Sequence, residues 1–129
     1  MKTVNTIALI ITKDNRLLVE KRRMDKKTDP GAVVIPGGHV EEGETHTEAC
    51  RRELREEQDL ECSRFTYITK ELWKTPIENQ LTHYYLCEGW TGEPRCLEAE
   101  EIYYISYDNL EKLDFGIDRR AVRAFISTL

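Results

Sequence analysis

No apolar run in this chain approaches the ~20 residues that a membrane-spanning helix needs. The opening stretch, MKTVNTIALIITKDN, turns polar too soon to read as a signal peptide. Basic residues do not dominate: 19 Lys and Arg stand against 24 Asp and Glu, giving a net charge of −5. A cationic face for a nucleic-acid polymer is therefore not expected. A nucleotide stays open, because a metal can carry its phosphates. There is no CxxC pair, and Cys50, Cys62, Cys87 and Cys96 have no zinc-like spacing to His39, His46 or His83. Cys50 and Cys87 lie in apolar surroundings that suit buried free thiols, so a reducing, cytoplasmic setting is expected. Repeats and low-complexity tracts are missing too. What remains is 129 residues, 33% charged and 40% hydrophobic, the composition of one soluble globular domain over residues 1–129.

Apolar runs and turn residues divide the chain. Residues 6–11 (TIALII) and 17–19 read as the arms of a hairpin around Asp14-Asn15. A charged loop over 21–29 leads through Pro30-Gly31 to a brief strand at 32–35, then to Pro36-Gly37-Gly38. Residues 45–59 read as a helix, with Thr45 and Glu48 in capping-box spacing. Strands are expected at 65–73, 81–90 and 102–105, followed by a short helical piece capped at Asp108-Asn109. Residues 117–128 close the chain as an amphipathic helix whose apolar side carries Ile117, Ala121, Ala124, Phe125 and Leu129.

One segment, residues 38–60, is unlike the rest: GHVEEGETHTEACRRELREEQDL. Glu53, Glu56 and Glu57 fall at i, i+3 and i+4, so on a helix they span an arc of about 100°. Like charges this close cost a helix a few tenths of a kcal/mol per pair. A solvated acidic face, with Glu48–Arg52 and Arg52–Glu56 as i, i+4 ion pairs, is the plain explanation. It accounts for neither the preceding glycines nor the isolated Glu44. Arg51, Arg55, Gln58 and Glu48 make a solvent face, while Cys50, Leu54 and Thr47 form a narrow inward stripe. The acids then lie at the edge of the buried side, beside Ala49. A cluster of hard oxygen ligands in that position points to a divalent cation.

The pattern Gly38, five residues, Glu44, seven residues, Arg52-Glu53-Leu54, one residue, Glu56-Glu57, two residues, Leu60 resembles the Nudix box. Where the family usually places glycine before the last apolar position, this chain has Asp59. Glycine there ends the helix in a left-handed conformation, which Asp adopts at some cost. The resemblance implies an α/β fold, a Nudix-like α/β/α sandwich with a mixed central sheet. It also implies hydrolysis of a nucleoside diphosphate linked to a group X, with Mg²⁺ or Mn²⁺ screening the phosphate charge. On that basis Glu53, Glu56 and Glu57 are metal ligands, with the Gly37 carbonyl and Glu98 joining them. Arg52 holds the acids in place, and Glu44 stabilises the loop–helix junction. Glu98 is also the first choice for general base, and Glu101 the second.

For the substrate, Arg22 or Arg23 and His39 are candidate phosphate contacts. The chain most resembles small MutT-type 8-oxo-dGTP diphosphatases, through Lys21-Arg22-Arg23, Pro36-Gly37-Gly38 and the turn from Trp90 to Pro94. In that type an asparagine at the start of the last helix reads the oxidised guanine. Here Asp118 and Arg119 stand in that neighbourhood, and Ile35 stands in the place of a stacking aromatic residue before Pro36. The expectation is a nucleoside triphosphate, oxidised or not, cleaved to the monophosphate and pyrophosphate. A nucleotide sugar or ADP-ribose is the second choice, with Pro76 as its one pointer. A catalytically silent nucleotide-binding module is the rival of another class. The partner is a nucleotide-type small molecule rather than a polymer or membrane, and the protein is a monomer or homodimer.

Overall fold

In the computed structural model, which describes residues 1–129, the first apolar run forms the strand around which both cores assemble. The second half of this strand, β1 (Thr3–Ile10), is apolar without alternation from Ile7 on because both of its faces are covered there. Ile7, Leu9 and the following Ile11 point into one core, while Ala8 and Ile10 point into the other. The chain continues through β2 (Thr12–Lys13), β3 (Arg16–Lys21), β4 (Val33–Val34) and β5 (Gly37–His39) to the helix α1 (His46–Gln58). Then come β6 (Arg64–Lys74), β7 (Asn79–Glu88), β8 (Glu101–Ser106), a 3-10 helix (Tyr107–Lys112) and α2 (Gly116–Ile126).

One sheet has the order β5-β1-β7-β6 and is mixed, since β1 runs parallel to β7 and antiparallel to β5. The second sheet is built on β3, flanked by β2 and β4 at opposite ends of one edge and by β8 along the other. Packing α1 on Ile7, Leu9 and Leu18 closes one layer. The 3-10 helix and α2 close the opposite layer through Leu110, Ala121, Val122 and Phe125. The α/β/α sandwich is therefore present. No helix is long and apolar enough to cross a membrane.

Several local expectations need correcting. Asp14 and Asn15, both at positive φ (52° and 58°), close a tight turn between β2 and β3. β1 does not form the other arm of that hairpin, because its ladder partners are β5 and β7 and the chain changes sheets near Ile11. The glycine segment after Pro36 adds a short strand to the edge of β1. Ser106, rather than Asp108, caps the 3-10 helix by accepting from the Asp108 N–H at 3.1 Å. α2 stops at Ile126, so Leu129 lies beyond it, 77% exposed, and Val122 takes its place in the core.

The caps of α1 follow the residues expected. Thr45 Oγ1 accepts from the Glu48 N–H at 3.1 Å, and the Glu48 carboxylate accepts from the Thr45 N–H at 2.9 Å. At the other end Asp59 adopts φ 56°, ψ 41°, and its N–H reaches the Arg55 carbonyl. A glycine would occupy this conformation without the side-chain penalty. Asp59→Gly is therefore expected to stabilise the protein by about 1 kcal/mol, read as a raised denaturation midpoint at unchanged m-value. An unchanged or lowered midpoint would show that the 3.5 Å Arg95–Asp59 pair outweighs the backbone strain.

Candidate active site

The buried arc of α1 contains Ala49, Cys50, Glu53, Leu54, Glu57 and Gln58. Two of the three expected acids thus lie inside the buried side and not at its edge. Only Glu56 lies at the edge, exposed. Gln58, expected in solvent, is fully buried, and Thr47, expected inward, is exposed. The segment after Gly92 explains Gln58: the Arg95 and Leu97 N–H groups donate to the Gln58 and Glu57 carbonyls, laying a loop over the end of the helix.

Arg52 organises the polar side of this helix. Its Nε and Nη2 donate to the two Glu44 oxygens at 2.8 and 2.9 Å. Nη1 donates to Glu53 at 2.7 Å and Glu56 at 3.3 Å, and Nη2 also donates to the His39 carbonyl at 3.0 Å. Glu44 accepts in addition from the Glu41 N–H, and with Arg52 beside it its carboxyl is held down at about 2. One guanidinium thereby ties together the glycine segment, the loop after it and the acids of α1.

Glu53 and Glu57 border a cavity of about 400 Å³ lined from both sheets, and Glu56 lies outside its lining. Glu53 and Glu57 form part of its wall, with Gly37, Glu98 and the unanticipated Glu20. Burial raises the Glu53 carboxyl, and burial together with the neighbouring Glu20 charge raises Glu57 well above its ordinary value. Glu20 is pushed from 4.5 to about 7, again mainly by burial. Glu57 Oε2 is buried without any hydrogen-bond partner. Gly37 is indispensable to this packing, because a Cβ there would run into the backbone of Ile7 and Ala8, whereas a Cβ at Gly38 would meet only the far end of the Glu53 side chain. No three His, Cys, Asp or Glu side chains converge as a ready-made coordination shell, since Arg52 draws Glu53 and Glu56 towards itself. The donor chemistry still suits a hard divalent cation: all the donors are oxygens, and one buried carboxylate oxygen is unsatisfied.

The remaining expected residues divide. Arg22 and Arg23 line the cavity, Arg22 bonded to Thr28 and Arg23 to Asp25. His39 lies at the mouth, bonded through Nε2 to Glu78 of the β6–β7 turn. Asp118 lies in the wall, 5% exposed, and accepts from Tyr84 Oη at 2.6 Å and from the Ile35 N–H at 3.2 Å. Burial raises its carboxyl to about 6. Arg119 is not brought to the cavity; its guanidinium bonds the Leu113 carbonyl instead and closes the end of the 3-10 helix. Of the two candidate bases Glu98 lines the cavity and Glu101 does not, being paired in β8 with Lys21. Trp73 and Phe115, stacked at 4.3 Å between ring centroids, wall the end nearest α2. Glu20 was missed because one acid in a strand reads as a surface residue. Its signal was position: a charge two residues beyond Leu18 on the same face. The Trp73–Phe115 pair, which joins residues distant in the chain, had no local signal.

Residues 1–125 match the family model described as NUDIX domain. The chain is 28% identical over 109 residues to the 8-oxo-dGTP diphosphatase of Escherichia coli (strain K12), covering 84% of each chain. It is 32% identical over 115 residues to an ADP-ribose pyrophosphatase of Methanocaldococcus jannaschii, covering 85% of this chain and 66% of that one. The crystal structure of a MutT NUDIX hydrolase from Burkholderia pseudomallei superposes with a TM-score of 0.85 at 25% identity, over 96% of this chain and 98% of that one.

The raised carboxyls set a direction for stability against pH. Between 4.5 and about 7 the folded protein holds a proton on Glu20 that the unfolded chain has lost, so stability falls as pH rises through that window. With a chelator present, the unfolding free energy should drop by roughly 3 kcal/mol between pH 5 and 8, measured by denaturant titration at each pH. Millimolar Mg²⁺ should reduce the drop. A flat profile in chelator would contradict the buried, uncompensated charge.

Proposed function

The chain belongs to the NUDIX family of hydrolases, and from that premise we propose that it cleaves a nucleoside triphosphate to the monophosphate and pyrophosphate with Mg²⁺ or Mn²⁺. The observation that carries this reading is the order of chemistry along one cavity. Buried carboxylates on α1 face a rim of Arg22, Arg23 and Lys26, and stacked aromatic rings lie at the other end. Phosphates need compensating charge, and a base needs a flat apolar surface.

In this reading Glu53, Glu56, Glu57, Glu98 and the Gly37 carbonyl hold the cation, which supplies charge screening at the phosphates and activation of water. Arg52 keeps Glu53 and Glu56 oriented. Glu98 accepts a proton from the attacking water as the water oxygen bonds to one phosphorus of the diphosphate and the bridging P–O bond to the other breaks, releasing the monophosphate and pyrophosphate. Arg23 and His39 donate to phosphate oxygens. Asp118, with a lone pair left on each oxygen, accepts from a base N–H. Residues 1–129 act as one catalytic unit, and four free thiols suit a reducing cytoplasm. The relative named for ADP-ribose favours a second reading, a nucleotide with a sugar in place of the terminal phosphates.

A panel of triphosphates, nucleotide sugars and ADP-ribose, incubated with Mg²⁺ and resolved by product, tests both. Pyrophosphate from triphosphates is expected; sugar phosphate alone would establish the second reading, and no product at all a silent module. Glu57→Gln should lower kcat by on the order of a hundredfold or more, with the chelated melting temperature not reduced. Unaltered turnover would remove Glu57 from the cation site. Trp73→Ala should raise KM about tenfold with little change in kcat, as loss of one stacking contact predicts. An equal loss in kcat would place Trp73 in positioning the phosphates instead.

A further inference from the structure

Along β3 the even positions face α1. Leu18 packs into the core beneath that helix, with Ala49 and Leu54. Two residues further on the same face stands Glu20, where continuing the pattern would call for another apolar side chain. It is 6% exposed, on a strand flanked by Val34 of β4 on one side and Ile102 of β8 on the other. The charges that act on it are Arg22, Glu53, Glu98 and Lys26, and no hydrogen bond supports its carboxylate. Glu57 lines the same cavity; its Oε2 is buried and unpartnered, and Glu20 is the strongest charge acting on it.

Two buried carboxylates lining one cavity without donors are strongly unfavourable in their charged forms unless a cation satisfies them. The nearby guanidiniums are engaged elsewhere, Arg22 with Thr28 and Arg52 with Glu44. What this pair lacks is a compact positive charge with oxygen preference. We propose that Glu20 is an additional carboxylate of the divalent-cation site, acting from β3 together with Glu57, directly or through a coordinated water. This rests on the cation reading above and adds to it a group from outside the box. It accounts for a charge at a core position, which that reading leaves unexplained. The ion fitting such a site is Mg²⁺ or Mn²⁺, since every donor is a hard oxygen.

The test is Mn²⁺ binding to the intact protein, followed by the paramagnetic signal of free Mn²⁺, for wild type, Glu20→Gln, Glu20→Met and Glu57→Gln. Thermal melts in chelator accompany each. Both Glu20 variants should weaken Mn²⁺ binding about tenfold while melting at or above the wild-type temperature in chelator. If they bind Mn²⁺ as wild type does and Glu57→Gln is weakened, the inference fails and the cation reading stands. If Glu57→Gln also binds as wild type does, both fall. If both Glu20 variants melt lower in chelator and lose Mn²⁺ only in proportion to unfolded protein, Glu20 is structural and the inference is overturned.

Discussion

Much of the site hangs on one guanidinium. Arg52 grips both oxygens of Glu44, one oxygen each of Glu53 and Glu56, and the His39 carbonyl. Bidentate pairing fixes orientation as well as distance, because the planar fork matches a carboxylate. Lysine would supply the charge without the geometry. Through this group the edge strand β5, the loop after it and α1 share one anchor. The anchor also lets acids sit in the buried arc of a helix, where their mutual repulsion would otherwise oppose folding.

The repulsion is only partly relieved. Glu57 and Glu20 lie beyond the reach of Arg52, and both are driven towards the protonated form by burial. Stability is thus given up locally in order to place oxygen donors in a confined space. The two hydrophobic cores on either side of β1 supply the surplus that makes this tolerable. The same division of labour appears at Asp118, whose buried carboxylate links α2 to Tyr84 and to the backbone of Ile35.

The box helix was legible because its signals are local: a capping box, acids at i, i+3 and i+4, and a residue able to take a left-handed stop. The mixed sheet and sandwich followed from resemblance, not from hydropathy, which cannot tell that residues 6–11 leave one sheet for the other. Errors arose where burial is imposed from a distance. Gln58 is covered by a loop more than thirty residues downstream, and Glu20 by elements on both sides of its strand. A helical projection alone placed Thr47 inward and Gln58 outward, because it has no knowledge of what each turn meets. Arg119 was assigned by its place beside Asp118, yet adjacent residues on a helix diverge by about 100°.

Gly37 carries a consequence of another kind. Any other residue at that position brings a Cβ onto the backbone of Ile7 and Ala8 in the neighbouring strand. Most buried sites accept substitutions in graded fashion, a methylene at a time, so a lineage can drift through them. Here the first atom added already meets the conflict, and all nineteen alternatives begin with that atom. The position behaves as a step rather than a slope, while the far wall of the cavity, built from side chains such as Asp118, Trp73 and Phe115, can change by degrees.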